Sequence, residues 1–128
     1  MLNCFQFRFC GSYFSMKVVK KSESREHTNS DACLAIEYPL GEPDINGAVI
    51  KLNGRYPEKG WCMNRKCKEL AYVIKGKGII HASDKEQEIS EGDLIFIPPG
   101  EKFYWEGEMK MFMPCTPAWT PEQYEYCE

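Results

Sequence analysis

Histidine is nearly missing from this chain: His27 and His81 are the only two. A serine or cysteine nucleophile needs an imidazole base beside it, and His27 lies in a polar stretch with nothing to position it, so hydrolase triads are excluded. The seven cysteines, at 4, 10, 33, 62, 67, 115 and 127, contain no C-x-x-C pair, which removes zinc fingers and ribbons. Their odd number reads as reduced thiols, with an intermolecular bridge under oxidation left open.

Neither sign of charge is in excess. A net charge of −3 offers no electrostatic reason to hold nucleic acid or acidic lipid, so neither partner is expected. No apolar run approaches the length that spans a bilayer, and Arg8 interrupts the N-terminal MLNCFQFRFCGSYF where a signal peptide would be uninterrupted. The expected location is the cytoplasm. No internal repeat or low-complexity segment is present, and no phosphate loop or dinucleotide fingerprint either; GKG at 76–78 lies between two strand-like runs and reads as a turn.

What is present is one domain's worth of chain: 128 residues, 43% hydrophobic and 27% charged. The first fifteen alternate in FQFRF and suit an added edge strand, while Met16, opening MKVVKKSES, equally suits the start of the domain proper. Residues 21–31, KSESREHTNSD, lack periodicity and read as a connector. The division expected is an N-terminal extension and linker over 1–32 and a barrel domain with its C-terminal tail over 33–128.

From Cys33 onward, short strand-like runs alternate with turn residues: CLAIEYPL, AVIKLNGRYP, ELAYVIKG, GIIHAS, DLIFIPPG, KFYWEG and MKMFMP, with SDKEQE as a hairpin candidate. This pattern predicts an all-β, antiparallel barrel or sandwich. One helix is predicted at the end, where Thr120-Pro121-Glu122-Gln123 supplies an N-cap hydroxyl, a proline at the first helical position and a capping-box glutamine.

The stretch GDLIFIPPG carries the most local information. Its LIFI run is apolar on both faces and predicts a strand buried on both sides. Pro98 and Pro99 cannot continue a ladder and Gly100 can adopt a positive φ, so a sharp corner follows. That corner aims Phe103 and Trp105, two residues apart, onto one face of the next strand.

These residues resemble the cupins, small jelly-roll barrels marked by two short signatures. The second signature runs Gly, five residues, Pro-x-Gly, two residues, His, three residues, Asn; Gly92, Pro98 and Gly100 match, with Phe103 in the histidine's place and Gly107 in the asparagine's. Glu69 and Gly76 reproduce the Glu-x6-Gly half of the first signature. Its His-x-His pair falls on Cys62 and Asn64, or on Met63 and Arg65, according to the gap allowed before the glutamate. The resemblance spans roughly residues 33–115 and implies a cupin-like jelly roll with a short C-terminal helix.

In that family two histidines, a glutamate and a final histidine bind a transition metal, and here three of the four are replaced. The resemblance therefore implies a barrel without a tightly bound metal and no cofactor, with a site built on Cys62, Asn64, Glu69, Phe103 and Trp105. Cys62 and His81 are the substitute ligands should a metal be held at Glu69. A carboxylate inside a barrel needs a partner. Arg55 or Arg65 could pair with Glu69, or a ligand hydroxyl or amine could donate to it. Phe103 and Trp105 either plug the lumen or wall a pocket. The reading adopted is a small-molecule-binding barrel that dimerises through an edge strand. An isomerase, epimerase or metal-dependent dioxygenase using Glu69, and a structural module with a plugged barrel, are the alternatives.

Overall fold

The computed structural model describes residues 16–128. Residues 1–15, and with them the edge strand read into FQFRF, lie outside the described residues. Nine strands follow: β1 Arg25–Ser30, β2 Cys33–Glu37, β3 Asn46–Tyr56, β4 Trp61–Asn64, β5 Lys68–Ala82, β6 Lys85–Ser90, β7 Leu94–Ile97, β8 Phe103–Thr116 and β9 Tyr124–Cys127. All pairings are antiparallel and run β1-β2-β3-β8-β4-β9, while β5 pairs with β6, β7 and β8. The sheet curls on itself into the antiparallel barrel that the strand-like runs allowed, in the jelly-roll form that the resemblance implied.

Three long strands, β3, β8 and β5, organise the molecule, with β8 paired along its length to both of the others. On β8 the strict alternation of MKMFMPC turns Met109, Met111, Met113 and Cys115 inward, in line with Phe103 and Trp105 from the same strand. Ala71 and Val73 of β5, Leu52 of β3 and Ile97 of β7 complete the core. Midway along, Gly54, Gly107 and Gly78 fall in one row across the three strands. A Cβ on Gly107, at φ +137°, would lie 2.5 Å from the Gly78 Cα, so only glycine lets the backbones approach there.

Four local expectations are corrected. Arg25–Ser30, read as connector, is a strand: both its faces are largely exposed, so backbone pairing with β2 forms it and leaves no hydrophobic period to read. GKG is not a turn. Strand β5 runs through it with a bulge between Val73 and Lys75, and Gly76 is required because a Cβ would lie 2.1 Å from the Glu108 carbonyl oxygen. The LIFI strand is buried on one side only, with Leu94 62% and Phe96 59% exposed. Finally, the C-terminal helix is a single 3₁₀ turn, Pro121–Gln123, with no bond from the Thr120 side chain; β9 follows at once and pairs with β4. Backbone pairing to β4 wins over a helix of two turns at most.

The hairpin at SDKEQE and the Pro98-Pro99-Gly100 corner form as predicted. Gly100 has φ +83° and its N–H donates to the Asn64 carbonyl at 2.8 Å, which ties the corner to β4. Among the described residues no helix is long and apolar enough to cross a membrane.

Candidate functional site

Strand β4 alternates, so Cys62 and Asn64 face the interior while Arg65 is exposed. Of the two placements for the missing histidine pair, it is Cys62 and Asn64 that point inward beside Glu69. Asn64 donates from Nδ2 to Glu69 Oε1 in a short hydrogen bond. Its Oδ1 accepts from Trp119 Nε1 at 3.0 Å, which completes a Trp119–Asn64–Glu69 chain. Burial holds the Glu69 carboxyl up at about 7, and the Asn64 bond pulls it back only in part.

Among the described residues no cation offsets that burial. Arg65 bonds Glu125 on the surface at 2.8 Å. Arg55 donates to the carbonyls of Pro57 at 3.0 Å and Gly60 at 2.9 Å and stacks on Tyr104. Neither forms the ion pair with Glu69 that the sequence allowed.

Phe103 and Trp105 meet edge to face, 5.9 Å between centroids, and are 5% and 4% exposed. Cys62, 1% exposed, pairs across the sheet with Phe103 and donates its thiol to that residue's carbonyl at 3.4 Å. Burial pushes the Cys62 thiol up to about 12, with Tyr124 opposing only in part. Tyr124 in turn shares a hydrogen bond with Tyr56, at 3.3 Å between hydroxyl oxygens, and lies edge-on to Trp119. The five predicted residues therefore belong to one packed, aromatic-walled cluster.

His81 is not among them. It sits on the far half of β5, stacked on Tyr104, with Glu86 at 3.1 Å and Glu106 at 3.7 Å. That removes it as a substitute ligand. The donors at Glu69 are one carboxyl, one amide and one thiol, with no imidazole among them, a poor set for a tightly bound transition metal. Among the described residues no three His, Cys, Asp or Glu side chains group as metal ligands.

Sequence reasoning missed Trp119, Tyr124 and Tyr56. The signal was a tryptophan between Pro117 and Pro121 in an otherwise polar tail, which marks an anchored rather than a loose segment. Gln123 does the anchoring: its side-chain oxygen accepts from the Lys66 and Cys67 amides at 3.1 and 2.9 Å. Open space lies apart from this cluster. A cleft of about 910 Å³ runs past Lys51, Lys75, Lys77 and Lys110, and a small one of about 80 Å³ lies beside Arg55 and Glu58; neither is lined by Glu69.

The family model described as the cupin domain matches residues 58–113, the span from before β4 to near the end of β8. That stretch is similar to the cupin domain, and the fold is that of a cupin jelly roll. It is similar to Streptomyces Pac13, a nucleoside dehydratase, solved as a variant with uridine, at TM-score 0.80 and 18% identity over 89% of this chain and 92% of that one. It is also similar to the ectoine synthase of P. lautus, at 0.67 and 17% over 88% and 91%. A third similar structure is the polyketide cyclase RemF of Streptomyces resistomycificus, at 0.68 and 16% over 89% and 87%. At these identities the likeness is one of fold. No curated protein matches the chain by sequence.

Proposed function

We propose that the barrel binds a small polar molecule without a tightly bound metal, and that Glu69 is its hydrogen-bonding anchor. One observation carries this reading: Glu69 is a buried carboxyl with an amide for a partner and no cation among the described residues, so a ligand hydroxyl or amine is the group that would complete it. Asn64 and Trp119 fix the carboxyl's orientation from behind, and Trp105, Phe103 and Tyr124 offer flat surfaces for stacking. The amide beside Glu69 and the missing imidazoles support the metal-free part of the proposal.

A carboxyl held at about 7 also exchanges its proton near neutrality, which favours a second reading, proton transfer to or from the bound molecule. The names of the similar structures, a dehydratase, a synthase and a cyclase, support trying that chemistry here.

The test is a thermal-shift and tryptophan-fluorescence screen of untagged protein against nucleosides, beginning with uridine, then sugars and small acids, with elemental analysis of the same sample. A bound molecule must raise the melting temperature, with a stabilisation that grows as the logarithm of one plus its concentration over Kd. A hit lost in Glu69→Gln is the expected result, and product from that ligand selects the enzymatic reading. No hit in any class, together with severe destabilisation in Trp105→Ala, leaves the plugged barrel. One equivalent of a single metal overturns the metal-free reading.

A further inference from the structure

The geometry points to the lysine-lined cleft as a binding site for a diphosphate, free or carried on a small organic molecule. Its charge comes from one row. Lys51 of β3, Lys110 of β8 and Lys75 of β5 stand directly opposite one another, since Lys110 is the register partner of both others, and all three are exposed. Partners across an antiparallel pair have backbones about 5 Å apart, inside the screening length of about 8 Å at physiological salt, so the three positive charges repel one another. Among the described residues none of the three forms an ion pair. An anion seated across the row would turn that repulsion into attraction.

The third lysine is put there by the bulge in β5. Val73 lies opposite Met111 and Lys75 opposite Lys110, with Ile74 as the extra residue between them. Without it, Ile74 would face Lys110, and Lys75 would fall opposite Met109, whose side chain points inward. The bulge thus re-aims a lysine into line with two others, the use bulges commonly serve beside binding sites.

The cleft itself sets the size and class of the anion. Its volume of about 910 Å³ is that of a site for a small organic ligand, and Leu34, Leu52 and Met109 give it an apolar lining beside the lysines. Two carboxylates also line it, Asp31 in the β1–β2 turn and Glu108 opposite Lys77, and the four lysines stay in excess of them. Three cations spread over two strand spacings are more than one phosphoryl group can meet, which selects a diphosphate over a monophosphate. A nucleic acid or an anionic membrane would reach past the row onto the rest of a chain whose net charge is −3, so a compact anion fits better than an extended one. None of the residues lining the cleft belongs to the Glu69 cluster, so this site is separate from the one proposed above.

The experiment is isothermal titration of the full chain at physiological salt with pyrophosphate, adenosine diphosphate and inorganic phosphate, with a single-stranded oligonucleotide and anionic lipid vesicles in parallel. Expected is saturable binding of both diphosphates, weaker binding of inorganic phosphate, a Kd raised at least about tenfold in Lys110→Gln and at least about 100-fold in the Lys51→Gln, Lys75→Gln double variant, and no change in Lys102→Gln, an exposed lysine outside the cleft. Tighter binding of adenosine diphosphate than of pyrophosphate gives the apolar lining to an organic group, and equal binding gives the site to free diphosphate; both uphold the row. A thermal scan without ligand is a second readout: Lys110→Gln should melt higher than wild type, because the row loses a repulsion. Lower melting would make Lys110 structural and overturn the inference. So would the absence of saturation with either diphosphate, a Kd unmoved by the cleft variants, inorganic phosphate bound as tightly as pyrophosphate, or the oligonucleotide or vesicles bound in preference to both diphosphates.

Discussion

The two faces of β5 carry the same kind of side chain to opposite ends. Inside, Ala71 and Val73 are sealed by the chain's own strands; outside, Leu70, Tyr72 and Ile74 are as apolar and stay in contact with solvent. Burial is therefore decided by which layer the fold supplies, and composition alone does not reveal which face that is. The inner face holds a buried carboxyl, Glu69, two residues before Ala71 on the same side, while the charges of the outer face, Lys68 and Lys75, stay in solvent.

Truncation should separate the faces most sharply. Trp105→Ala or Phe103→Ala should cost about 3–5 kcal/mol in denaturant unfolding, because each leaves a cavity in closed packing. Phe96→Ser on the outer face, measured at dilution where copies are apart, should cost about 0.5 kcal/mol or less. Equal losses would mean that the outer face is covered by the chain itself.

The next effect is a pH dependence that only the inner face can give. Burial raises the Glu69 carboxyl from 4.5 to about 7, so folding favours its neutral form. Its stabilising contribution is complete below about pH 4.5 and is lost as pH rises through about 7, a swing of roughly 3 kcal/mol. Glu69→Gln should flatten that part of the curve and be the more stable protein at pH 8. Unfolding at pH 5.5 and pH 8 measures it.

Asn64→Leu should cost about 2 kcal/mol, since it strands both the Glu69 carboxyl and the Trp119 indole N–H. Loss of the Trp119 environment in near-ultraviolet circular dichroism checks the cause. Smallest of all, Thr120→Ala should leave the melting curve within about 0.5 kcal/mol of wild type, because the Thr120 side chain caps nothing.

Much of the fold was legible because its main strand is written plainly. Alternation in MKMFMPC and the spacing of Phe103 and Trp105 follow the pleat of β8, and Pro98-Pro99-Gly100 permits nothing but a corner. Strand β1 was illegible for the opposite reason: REHTNS buries almost nothing, so the bonds that form it are backbone bonds, which leave no mark on side-chain choice. At the site, family spacing marked Glu69 and left two placements for the histidine pair, of which the pleat of β4 turns Cys62 and Asn64 inward. It could not locate Trp119, which reaches Asn64 across 55 residues through a tail held by Gln123. Nor could spacing say that both arginines would be engaged elsewhere, since their partners are carbonyls and Glu125 at the end of the chain.

Gly54, Gly107 and Gly78 lie on one line across the three longest strands, where no side chain stands between the backbones, and that line divides the inward-facing side chains of β8 into two panels. One panel carries Phe103 and Trp105, the other Met109, Met111 and Met113, and the core is what the panels enclose between them. The lysine-lined cleft meets the second panel at Met109, beside the glycine row. Room for a guest on that side would be made by methionine, the flexible side chain best able to repack.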